Sequence, residues 1–115
     1  MKKLGLLTIG AVFLASSTLV TADETDPATI EAWGKDCQKC HAEDGSGLTK
    51  KGRKLRLKDY RKADVQAEMT DEEMVDAITH GVKRDGEDVM NPYEEDYSPE
   101  QIEAFVAYIR TMAHE

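Results

Sequence analysis

Cys37-Gln38-Lys39-Cys40-His41 holds the two cysteines of the chain, with a histidine directly behind the second. Two thiols at this spacing can each add across one vinyl group of a haem. The adjacent histidine is then carried beneath the iron, where an imidazole nitrogen binds it. Two other chemistries use the same residue types. A bare Cys-x-x-Cys is a dithiol redox motif when it sits beside a βαβ pattern, and no such pattern is visible here. A Cys-Cys-His set can hold zinc, but a structural zinc site takes four ligands, and His80 and His114 are the remaining histidines. The residues favour one covalent haem c, attached through Cys37 and Cys40 and ligated by His41.

Iron held by one histidine takes a sixth ligand or keeps an open position. A methionine sulfur there favours the ferrous state and raises the potential. Met69 and Met74 are accounted for by the start of a helix, and Met112 by the apolar face of another. Met90 lies between Gly86 and Pro92, in a stretch expected to be an irregular loop with no helical pattern to satisfy. Met90 is therefore the expected second ligand. His80 is the rival, although a histidine at a helix C-terminus is favoured by the helix dipole alone. His114 is expected at a frayed end. Without Met90 on the iron, the site would be open to small ligands or peroxide, and Arg84 is the loop residue placed to assist.

The elements that must position these residues read as helices, with no convincing alternating strand. Asp26-Pro27 opens the first helix as N-cap and first helical proline. Ile30, Trp33 and Gly34 share one of its faces, and it runs into Cys37. Gly45, Gly47 and Gly52 punctuate a loop. Residues 48–62 carry eight basic side chains and are expected to form a solvated loop that can lie near haem propionates. Thr70 and Glu73 form a capping box, with Met69 and Met74 as its hydrophobic staple, and Gly81 stops that helix. Ser98-Pro99 with Gln101 opens the last helix, on which Ile102, Phe105, Val106, Ile109, Met112 and Ala113 share a face.

Lys2 and Lys3, the apolar run Leu4–Leu14 and the small residues Val20-Thr21-Ala22 read as a secretory signal cut after Ala22. Export to the periplasm is the expectation, with an uncleaved membrane anchor as the alternative. Residues 1–22 are then the signal peptide and 23–115 one domain. The domain keeps three leucines, one Phe and one Trp, a thin core for its size, which a buried porphyrin would supplement. Residues 1–22 carry two lysines and no acid, so their removal takes the formal charge from −8 to −10. That acidity argues against nucleic acid and anionic membranes. It suits redox partner proteins with a basic docking face. A monomer with no stable membrane insertion after cleavage is expected.

The haem motif, the stretch Val89-Met90-Asn91-Pro92-Tyr93 and the closing helix Ile102–Arg110 together resemble the class I cytochrome c family. The likeness extends over essentially all of residues 23–115. It implies an all-α domain wrapped around one haem, with His41 and Met90 as axial ligands and no catalytic residue. The implied activity is one-electron transfer between periplasmic or membrane-bound partners. It further implies that the first and last helices cross, with Trp33, Phe105 and Tyr108 at the crossing. Two positions depart from the family pattern. Thr29 stands where a glycine often marks the tightest contact. Gly52-Arg53 stands in place of Gly-Pro, leaving the Arg53 carbonyl to accept the hydrogen bond from His41 that the proline carbonyl usually takes.

Overall fold

The computed structural model describes Gly5, residues 10–12 and residues 25–115. The expected signal peptide and its cleavage site otherwise lie outside the described residues. No helix among the described residues is long and apolar enough to cross a membrane. Six helices and one hairpin follow in order among the described residues: α1 Pro27–Asp36, α2 Gln38–His41, α3 Lys50–Leu55, α4 Ala63–Ala67, α5 Asp71–His80, β1 Val82–Arg84, β2 Glu87–Met90 and α6 Pro99–Thr111.

The three longest helices start as their capping residues dictate. The Asp26 side chain accepts from the Ala28 amide, and Pro27 loses no bond at the first helical position. Thr70 with Glu73 and Ser98 with Gln101 each form a reciprocal capping box. Gly81 ends α5 at φ +76°. It does so against the backbone of Met90 and Pro92, where a Cβ would collide.

The core joins α1, α5 and α6. Trp33, Met74, Ile78, Ile102, Phe105, Val106, Ile109 and Met112 are its buried apolar members. Trp33 is 3% exposed and meets the edge of Tyr108 at 5.6 Å. Thr29 is buried on the same face of α1, whereas Ile30 and Gly34 are exposed. The inward face of this helix is thus set by Thr29 and Trp33, not by Ile30, Trp33 and Gly34.

Three further expectations are corrected. The domain is mostly helical but not all-α, because residues 82–90 form an antiparallel hairpin. Asp85 and Gly86 both take positive φ at its turn, the geometry that matches strand twist. Strands of three and four residues with scattered charge are too short to display alternation. Within the basic run, Lys50–Leu55 is helical rather than loop, because Thr49 caps it through the Gly52 amide (2.8 Å). The chain end is also tied down: the amides of His114 and Glu115 donate to the Arg61 carbonyl.

Truncation of Trp33 removes the largest side chain at the crossing. Trp33→Ala is expected to lower stability by roughly 3–5 kcal/mol, read as a shift of the denaturant midpoint at unchanged slope.

Candidate functional site

The Cys37–His41 turn is pinned from three sides. The His41 amide donates to the Cys37 carbonyl (3.0 Å), closing the turn. Trp33 donates its indole N–H to the Ala42 carbonyl (3.1 Å), tying the turn back to α1. The Thr49 hydroxyl donates to the Cys40 carbonyl (2.7 Å) while capping α3. Gly52 lies so close that a Cβ would collide with the carbonyl oxygens of Cys40 and Gly47. Only glycine lets α3 approach the turn this closely.

Cys37, Cys40 and His41 open onto a cavity of about 490 Å³, a size typical of cofactor sites, which run from about 300 to 1,000 Å³. Met90 lines it too, at the end of β2. Its placement is a strand end rather than an irregular loop. Ile78, Phe105 and Ile109 contribute apolar wall, and Tyr60, Tyr93 and Tyr97 aromatic wall. Tyr93 donates its hydroxyl to the Asp36 carbonyl (3.1 Å), and Tyr97 donates to the Asp36 carboxylate. Both bonds fasten the segment after Met90 to the helix end before Cys37. The cavity lining carries both signs of charge: Lys51, Arg56, Lys58 and Arg84 with Asp36, Glu73 and Asp88.

His41 sits between two rings. Tyr60 stacks on it at 5.4 Å and 18° between planes, and Trp33 lies at 5.8 Å, tilted by 40°. Burial pulls its pKa down to about 4, so the imidazole is neutral, the form that binds metal. Its Nδ1 is buried without a hydrogen-bond partner. The Arg53 carbonyl does not fill that role; it accepts from the Arg56 amide (3.3 Å).

Burial, with help from Asp36 and Cys40, pushes the Cys37 thiol up to about 12. A thiol held neutral is a poor dithiol nucleophile. Among the described residues no group of three or more His, Cys, Asp or Glu side chains is placed to hold a metal ion, which counts against zinc. His80 is exposed and lies outside the cavity lining, with Nδ1 2.9 Å from Asp76 and Nε2 3.7 Å from Glu94. His114 bonds the Met112 carbonyl. Sequence reasoning missed Tyr60 and Thr49. Neither stands in a periodic pattern, though the cap-like Thr49 three residues before Gly52 was a readable sign.

A buried neutral imidazole, two free thiols and a methionine around one cavity with apolar and aromatic walls fit a haem bound through this motif. The family described as cytochrome C oxidase, cbb3-type, subunit III matches residues 26–109. The chain belongs to that family of small c-type cytochrome domains. The solved structure of the KustC0563 c-type cytochrome is 27% identical, with a TM-score of 0.66, covering 75% of this chain and 98% of that one. A tyrosine-to-phenylalanine mutant of Kustc0563 is 28% identical, with a TM-score of 0.63 and coverages of 71% and 94%. No curated protein matches the sequence. The cytochrome c-like fold is thus established for this chain, and membership of a c-type family implies covalently bound haem c.

The fit at Gly52 is open to test. Gly52→Ala is expected to cost about 1–3 kcal/mol through backbone overpacking. Gly86, which meets nothing within 4 Å but has φ +81°, should lose about 1–2 kcal/mol as alanine, from its backbone conformation alone. Denaturant midpoints of the two matured variants compare them.

Proposed function

We propose that this cytochrome is an exported carrier of single electrons with one haem, joined through Cys37 and Cys40 and ligated by His41 and Met90. The observation that carries the reading is that these four side chains line one cavity in a chain of the c-type family. When bound, the group supplies a one-electron Fe(III)/Fe(II) couple.

The protein's part is to hold, orient and exclude water. Cys37 and Cys40 fix the group from one turn, so it cannot dissociate. Trp33 and Tyr60 fix the plane of the His41 ring. Burial keeps that ring neutral, ready to donate an electron pair. The apolar wall from α5 and α6 keeps water from the iron, and the domain wraps the group as part of its own core. Arg84 donates to the Leu55 carbonyl (2.7 Å) from the cavity wall. Met90 lines the same cavity, and a sulfur available for the sixth position supports a carrier over a peroxidase-like enzyme.

Export from the cytoplasm rests on the leader-like residues 1–22. For partners, the exposed acids Asp85, Glu87, Asp88, Glu94, Glu95 and Asp96 flank Met90 on both sides in sequence. We infer that they steer a redox protein with a basic face toward that end of the cavity.

Three measurements test this. Protein made with haem-maturation machinery should exceed the polypeptide mass by one haem; a mass equal to the bare chain would refute attachment. Met90→Ala should lose the weak sulfur-to-iron absorption band and lower the reduction potential, while Met69→Ala, Met74→Ala and Met112→Ala keep the band. Persistence of the band in Met90→Ala removes the ligand assignment. Reversing Glu94 and Glu95 to lysine should slow exchange with the physiological partner at low salt and have less effect at high salt; equal rates at low salt would discard the docking face.

A further inference from the structure

The β1–β2 hairpin is joined to the body of the domain in an unequal way. Its base is tight. Gly81 packs against the Met90 backbone, and just beyond the strands the Tyr93 amide donates to the Ile78 carbonyl (2.9 Å). Its outer part is exposed from Lys83 to Asp88. Lys83 and Asp88 pair with each other at 3.7 Å, within the hairpin. Arg84 reaches across instead. Its Nη1 donates to the carbonyl of Leu55, the last residue of α3, at 2.7 Å. Among the described residues this is the one hydrogen bond or ion pair between residues 82–90 and the rest of the chain.

Arg84 and Leu55 both line the cavity, so the bond runs between two of its walls. The chemistry favours it. A helix leaves its last carbonyls without partners, and a cation is stabilised at that negative end of the dipole. Arg56, next in the chain, takes a left-handed conformation (φ +55°), which ends the helix at the acceptor. A charge-assisted bond of this kind is about twice as strong as a neutral one.

We propose that Arg84 is a clasp that holds the hairpin closed against α3 and so keeps the Met90 sulfur in place at the iron. The clasp rests on the reading of Met90 as a ligand. Arg84 touches neither sulfur nor iron; it is a positioning residue. Release of its bond to Leu55 frees the outer strands from α3, and since their pairing runs back to Val82 and Met90, the Met90 backbone loses support on its hairpin side while Gly81 still holds the base. The cavity side carrying Met90 then opens to an outside ligand.

The test uses the matured ferric holoprotein and imidazole. At saturating imidazole the binding rate reports how fast the native sulfur leaves. Arg84→Ala should bind about tenfold faster than wild type, the expected consequence of losing one charge-assisted hydrogen bond. Arg84→Lys, which can still donate to a carbonyl, should fall between the two. Lys83→Ala, which loses a pair internal to the hairpin, should match wild type. An Arg84→Ala rate equal to wild type, in protein that shows the sulfur-to-iron band, overturns the clasp and leaves Met90 as ligand. An altered reduction potential with an unchanged imidazole rate also overturns it and assigns Arg84 to the porphyrin carboxylates. Equal acceleration in Lys83→Ala overturns the role of the Leu55 contact. A wild-type protein without the band, or a Met90→Ala variant that keeps it, refutes the ligand reading itself and the clasp with it.

Discussion

The core of this domain is built around a hollow. Eight apolar side chains are buried, yet no large one among the described residues is below 2% exposure. Trp33, Met74, Ile78, Phe105 and Ile109 each belong to that core and also line the cavity. Protein interiors are otherwise packed about as densely as organic crystals. A chain with so few large apolar residues cannot close this space itself. On the proposed reading the porphyrin completes the core, so folding and function draw on the same surface area. On the same reading, the packing of α1, α5 and α6 brings three helices around one flat apolar body.

That arrangement places heavy demands on the backbone around Cys37–His41, where side chains have little room. Polar groups of the turn are met locally: Cys40 by Thr49, Ala42 by Trp33, and the His41 carbonyl by the Gly47 amide (2.8 Å). Buried Gln66 does similar work further out, donating to the carbonyls of Tyr60 and Ile109 (2.7 Å each). It thereby joins the segment bearing the ring stacked on His41 to α6. Buried polar groups are costly unless paired, and here the pairing holds the site's supports to the core.

What could be read from the sequence follows from how local each signal is. The starts of α1, α5 and α6 were legible because capping depends on residues two or three positions apart. The haem motif was legible because attachment chemistry fixes its spacing. The hairpin was not, since its Asp85-Gly86 turn was visible but its strands were too short for a period. The helix α3 was hidden because six residues rich in lysine and arginine resemble a solvated loop; its stability comes from Thr49 and from the close approach of Gly52 to Cys40. The unpartnered Nδ1 of His41 could not be anticipated either, because the placement of the Arg53 carbonyl follows from α3, which was itself hidden. The inward face of α1 was misassigned since Ile30 is apolar, whereas packing selected Thr29.

The two residues read as iron ligands are held by different kinds of constraint. His41 is sandwiched by Trp33 and Tyr60, and its turn is bonded at several backbone atoms. Moving it would disturb the helix crossing, and with it the burial on which the fold relies. Met90 stands at the end of a hairpin whose outer strands are solvent-exposed and whose one outward bond among the described residues is that of Arg84. Local opening is cheapest where few buried apolar contacts must be broken. On the proposed ligation, displacement therefore belongs to the methionine side, and the histidine side is the more firmly held. An electron carrier gains from that division: rigid orientation on one side keeps the geometry constant between redox states, and the looser side takes up what little movement the change of charge requires.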